Sequence, residues 1–232
     1  MSGLIQVAGV IDGAEAQLLC EEGVDWLGLP LRLPSGDEDL GEAEAAAVVD
    51  QLRPPHEGVL ITYVTDAAQI ASFCAELGVR TVQLHGDVPL DELRALKAMD
   101  RRLRVIKSLV VRGDDLDELL KFARESAAWV DMFITDTFDP ATGATGATGL
   151  THDWSISAEL VRRAPKPLMM AGGLTPDNVA EAIRVARPAA VDAHTGLEDT
   201  DGRKDRAKVR SFVMRARHAF AELDRPSHQR QV

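Results

Sequence analysis

Asp136 closes the strand-like run Val130–Thr135, and the strand ends of such an alternating chain are where chemistry gathers. His85, in Gln83-Leu84-His85-Gly86, and His194, in Asp192-Ala193-His194-Thr195-Gly196, close two more runs of the same kind. An imidazole titrates near neutrality, which suits base work. Gly172-Gly173 and Thr195-Gly196 follow two neighbouring runs. Glycines there let the backbone approach a ligand, and backbone amides are natural donors to phosphate. The chemistry these residues suggest is the binding of a small phosphorylated substrate at the strand ends. Asp136, His194 and His85 are the candidate catalytic groups. Gly172, Gly173, Thr195 and Gly196 are the candidate phosphate site, and Gln83, Asp192 and Arg32 the candidate substrate contacts. Each has a plainer reading: tight turns for the glycines, a structural hydrogen bond for His85, and a surface or phosphate-side role for His194. Lys107 would be the nucleophile of a Schiff base. Cys20 and Cys74 lack metal-ligand spacing and read as buried free thiols of a reducing compartment. No metal is expected.

The elements that must position these residues alternate strictly. Strands are predicted over Leu4–Ala8, Val24–Leu29, Gly58–Tyr63, Thr81–Leu84, Leu103–Leu109, Val130–Thr135, Pro167–Ala171 and Ala189–Ala193. Helices are predicted over Ala14–Glu22, Glu42–Leu52, Asp66–Leu77, Leu90–Met99, Asp115–Ala127, Ile156–Arg163, Pro176–Ala186 and Lys204–Leu223. Most strands are apolar along their length, as in a parallel sheet covered by helices. Alternation implies parallel strands with right-handed crossovers. Eight units in 232 residues predict one α/β domain, a (β/α)8 TIM barrel over 1–223, with its active site at the C-terminal face and a frayed polar tail over 224–232. A doubly wound open sheet is the alternative. Asp66 is expected to cap the third helix, and Thr175-Pro176 to start the seventh. The Gly- and Thr-rich stretch Asp136–Trp154 is the one long irregular segment, and such loops tend to be functional.

Composition narrows the partners. Apolar residues make up 45% of the chain, enough for a sizeable core, and aromatics only 4%, which predicts an aliphatic interior. A net charge of −11 disfavours nucleic acid and anionic lipid, but not a small anion held by backbone amides. With no signal-like start and no apolar run of membrane-spanning length, the expectation is a cytoplasmic monomer or homodimer.

Four segments together resemble the phosphoribosylanthranilate isomerases of tryptophan biosynthesis. They are Val82–Gly86; Asp136-Thr137 through Gly146–Trp154; Ala171–Val179; and Val191-Asp192 through Gly196-Leu197-Glu198 to Gly202-Arg203-Lys204-Asp205 and Lys208. The resemblance implies an Amadori rearrangement of an N-linked ribose phosphate. An acid opens the sugar ring to an iminium, a base removes the C2′ proton, and the enolamine becomes a 1-amino-2-ketose. It implies no cofactor, because the iminium is itself the electron sink. It places the acid at Asp136.

The resemblance breaks on the side of strands 1 and 2. Where the family carries Lys-Ile-Cys-Gly, with the cysteine as base, this chain reads Gln6-Val7-Ala8-Gly9. A methyl group takes no proton, and loss of a positioned base costs about 10²–10⁴-fold in rate. Ile11 also departs from the motif. The family's Ser-Pro-Arg loop, whose arginine lies near the anthranilate, is replaced by Pro34-Ser35-Gly36-Asp37, leaving Arg32 as a displaced substitute. The expectation is an isomerase with a retained ribose-phosphate half, a rebuilt aglycone half, and a new base in His194 or His85. The alternatives are an inactive sugar-phosphate-binding relative, or an aldolase or lyase using Lys107.

Overall fold

The computed structural model describes residues 3–34, 40–112, 115–137 and 154–224. The 225–232 part of the predicted tail, the Ser35–Asp37 part of the loop after the second strand and most of the Asp136–Trp154 stretch lie outside the described residues. Eight strands and eight helices alternate: β1 (Leu4–Ala8), α1 (Gly13–Glu21), β2 (Trp26–Pro30), α2 (Glu42–Gln51), β3 (Glu57–Thr62), α3 (Ala67–Leu77), β4 (Thr81–Leu84), α4 (Leu90–Met99), β5 (Arg104–Val111), α5 (Leu116–Ser126), β6 (Met132–Thr137), α6 (Trp154–Arg163), β7 (Leu168–Met170), α7 (Val179–Ala186), β8 (Ala190–Ala193) and α8 (Arg206–Asp224). The strands form one closed, all-parallel barrel in sequence order, sealed by the pairing of β1 with β8. The barrel prediction holds and the open sheet is excluded. Among the described residues no helix is long and apolar enough to cross a membrane.

Two apolar layers hold the barrel. Ala8, Trp26, Val59, Ile61, Ile106, Ile134, Met169, Ala171 and Ala190 fill the interior. Their neighbours in each strand, such as Val7, Leu60, Val105, Phe133 and Val191, pack under the helices. Period-two alternation therefore decides which polar residues enter the barrel. Gln6, Gln83, Ser108, Asp136 and Asp192 share parity with the inner set. Lys107 does not. Below the site, Arg217 of α8 ties the starts of β1 and β2, donating to the carbonyls of Gly3 and Gly23 and to Asp25 Oδ1.

Two boundaries differ from expectation in ways that matter. β6 runs on to Thr137, so Asp136 lies within the β5–β6 ladder, opposite Val110, and is held on a strand. α7 starts at Val179, because Pro176–Asn178 form a turn in which the Thr175 carbonyl accepts from the amides of Asn178 and Val179. The Asp66 cap forms as predicted, its carboxylate accepting from Gln69 N at 2.8 Å.

Candidate active site

One hydrogen-bonded chain crosses the mouth of the barrel from β8 to β6. The Gln6 amide donates to Asp192 Oδ1 at 3.1 Å and to Gln83 Oε1 at 2.8 Å. Gln83 Nε2 lies 2.7 Å from His85 Nε2, and His85 Nδ1 lies 2.8 Å from Asp136 Oδ2. An amide nitrogen can only donate, so His85 Nε2 accepts and its Nδ1–H donates to the Asp136 carboxylate. Both ring nitrogens of His85 are thereby engaged, with the Tyr63 ring tilted against it at 5.5 Å. The other four residues of this hydrogen-bonded chain are buried.

The two carboxyls differ in surroundings. Burial pushes Asp192 up to about 7; the Asp136 charge adds to the rise, while the Gln6 hydrogen bond and the Lys204 charge oppose it. Gln6 carries no charge, so the group nearest Asp192 gives it a hydrogen bond but no counter-ion. Gln6 Oε1 is buried with no partner among the described residues.

A second cluster stands at the rim between β1 and β8. The buried Lys204 ammonium donates to Glu198 Oε1 at 2.7 Å and to the Gly9 carbonyl at 3.2 Å. Glu198 Oε1 is also 3.3 Å from His194 Nε2. The imidazole lies against Gly9, where any Cβ would collide with it. Glu15 joins the two ends of the chain, accepting from the amides of Ile11 and Lys204. His194 is thus a rim residue, 27% exposed, beside the turn that carries Thr195 and Gly196.

That turn is one 3-10 turn, Thr195–Leu197, packed on the Gly172–Leu174 turn. Gly172 and Gly173 both have positive φ, 101° and 60°, a backbone that side chains resist. Asn178 staples their loop: its Nδ2 donates to Gly173 O at 2.9 Å and its Oδ1 accepts from Thr175 N at 2.8 Å. The four predicted phosphate residues are brought together at one side of the mouth.

Arg32 is not brought to this site. It has φ 52°, its guanidinium lies 3.7 Å from the Phe73 ring centroid on α3, and it makes a forked pair with Glu42 on α2. Arg32→Ala is expected to lower the melting temperature by a few degrees while changing kcat/KM less than about threefold, as for a partly exposed pair. Thermal unfolding and initial rates check both. Lys107 faces the helix layer, with Nζ 5.8 Å from the Phe122 ring centroid on α5 and donating to the Ser108 carbonyl. Burial drives its ammonium down to about 8, yet it points away from the interior, which disfavours a Schiff base with substrate. Gln6, Glu198 and Lys204 were not among the residues singled out as site groups. The signal for Gln6 was one uncharged polar residue inside the apolar run Leu4–Ala8.

A closed barrel with its ionisable residues gathered at the strand C-termini is the architecture of a (β/α)8 enzyme. Residues 7–215 match the family model of N-(5′-phosphoribosyl)anthranilate (PRA) isomerase. N-(5′-phosphoribosyl)anthranilate isomerase 2 of Methanosarcina mazei is 40% identical, over 94% of this chain and 96% of that protein. The crystal structure of phosphoribosyl anthranilate isomerase from Thermotoga maritima has TM-score 0.79 at 27% identity, covering 93% of this chain and 99% of its own. A structure of phosphoribosyl anthranilate isomerase in complex with reduced 1-(o-carboxyphenylamino)-1-deoxyribulose 5-phosphate has TM-score 0.77 at 25% identity, with the same coverage. The chain belongs to the PRA isomerase family.

Proposed function

We infer that this protein isomerises N-(5′-phosphoribosyl)anthranilate to the corresponding 1-amino-1-deoxyribulose 5-phosphate. The observation that carries the reading is Asp136 on β6, fixed by His85 and facing the interior on the strand next to β7, which leads into the Gly172–Gly173 turn. The phosphate is held by the amides of Gly172-Gly173 and Thr195-Gly196. That anchors the ribose with its ring oxygen toward β6. Asp136 protonates this oxygen, the C1′–O bond breaks, and the anilino nitrogen supplies the electrons for the iminium. Removal of the C2′ proton sends an electron pair back to nitrogen and leaves the enolamine. Tautomerisation then adds a proton at C1′ and takes one from the C2′ hydroxyl. His85 is a positioning residue, since both its nitrogens are engaged in holding Asp136 and Gln83.

An inert sugar-phosphate binder has no need for an aspartate oriented in this way. The test is incubation with phosphoribosylanthranilate and measurement of its fluorescence decay. Enzyme-dependent decay at a rate proportional to protein is expected. Phosphate binding without decay would establish the inert alternative, and decay of a different anilino or amino ribose phosphate alone would identify an altered aglycone.

A further inference from the structure

We propose that Asp192 is the general base of this enzyme, taking from C2′ the proton that Ala8 cannot take. The proposal rests on the isomerase reading above and completes it.

Asp192 shares parity with the inward Ala190, so its carboxyl enters the barrel. It is in register with Gln6 on the adjacent strand, and Ala8 is the next inward residue of β1 beyond Gln6. The carboxyl therefore sits beside the wall that a methyl group leaves bare. Asp136 stands two strands away, on β6, and the hydrogen-bonded chain through Gln6, Gln83 and His85 fixes both carboxyls in one framework. An Amadori rearrangement needs an acid at the ring oxygen and a base at C2′, and the framework provides two aspartates for them.

The residue that touches Asp192 supports the role. Gln6 donates one hydrogen bond and brings no charge, whereas the Lys-Ile-Cys-Gly pattern would put an ammonium at the same position. The ionisable groups that act on Asp192 are Asp136 on β6, whose charge is removed while it holds the proton it donates, and Lys204 beyond the end of β8, which lies closest to Glu198 and the Gly9 carbonyl. His85 and the His194–Glu198 pair face the same mouth. Without a paired cation, the carboxylate keeps its basicity. The buried, unpartnered Gln6 Oε1 adds an acceptor at the same end of the site, suited to a sugar hydroxyl next to C2′. His194 is less well placed, because Nε2 is committed to Glu198 and the ring rests on Gly9 at the rim.

The proton balance closes. Asp136 gives one proton to the ring oxygen and Asp192 takes one from C2′. In the tautomerisation Asp192 returns its proton to C1′ and the C2′ hydroxyl gives one to Asp136, so both residues end as they began.

The test measures phosphoribosylanthranilate turnover in the full chain. Asp192→Asn is expected to lower kcat by about 10³-fold while changing affinity for reduced 1-(o-carboxyphenylamino)-1-deoxyribulose 5-phosphate by less than about fivefold. Adding Ala8→Cys to that variant is expected to restore at least about tenfold, since a thiol at position 8 supplies a base by another route. If Asp192→Asn does not fold, Gln6→Lys carries the test. An ammonium beside Asp192 should move the acidic limb of kcat/KM about one pH unit or more downward. Turnover by Asp192→Asn within tenfold of the unaltered chain, no recovery with Ala8→Cys, an unmoved limb in Gln6→Lys, or a limb abolished by His194→Ala instead would each overturn the proposal. No turnover by the unaltered chain would defeat the isomerase reading and the base with it. Turnover that survives Asp192→Asn would defeat the base alone.

Discussion

Asp136→Asn is expected to lower kcat on phosphoribosylanthranilate by about 10³-fold or more, with KM little changed. The substitution is close to isosteric. An asparagine Oδ1 in the same place still accepts the His85 Nδ1–H that now meets Asp136 Oδ2 at 2.8 Å. The chain through Gln83 and Gln6 should then persist, and so should the fold around it. What is lost is the proton donated to the ring oxygen, without which the C1′–O bond must break to an alkoxide. Alanine would be a poorer probe, because it leaves the buried Nδ1–H without its acceptor and mixes a structural cost with the chemical one. Fluorescence decay and thermal unfolding, measured together, separate the two. An Asn variant that turns over within tenfold of the unaltered chain would remove Asp136 from the acid role.

The second large effect is expected at Gly196. A Cβ there would run into the Leu174 carbonyl oxygen and crowd Thr175, and most of what it meets is backbone that cannot swing aside as a side chain can. Gly196→Ala must therefore part the two turns proposed to bear the phosphate donors. Donors displaced by about 1 Å lose most of a hydrogen bond each. Because phosphate is bound in both ground and transition states, the loss should fall on KM, by at least about tenfold, with kcat changed much less. Inhibition by inorganic phosphate should weaken in parallel. A variant with unchanged KM and unchanged phosphate inhibition would place the phosphate elsewhere.

Much of this protein is determined by sequence alone. Eight alternating strand and helix patterns define a barrel, because apolar strands separated by helical crossovers have to be parallel and buried on both faces. Strand ends then locate the mouth, and Asp136, Gly172-Gly173 and Thr195-Gly196 could be named as its residues. The absence of a cysteine at Ala8 was equally plain.

Tertiary structure decided the rest. When both faces of a strand are apolar, local pattern does not say which face is inside, so Lys107 stood as a candidate nucleophile until Ile106 and Ser108 were found on the inner wall. Arg32 lay near the right strand end, but its positive φ and the Phe73–Glu42 cradle turn it toward the helices. Gln6, Gln83, Asp136 and Asp192 come from four strands spread over most of the chain, and only closure of β1 on β8 sets the register that brings Gln6 against Asp192. A hydrogen bond between residues 186 positions apart leaves no trace in local spacing. The missing base could be read from one position; the residue proposed to replace it became visible only when the barrel closed.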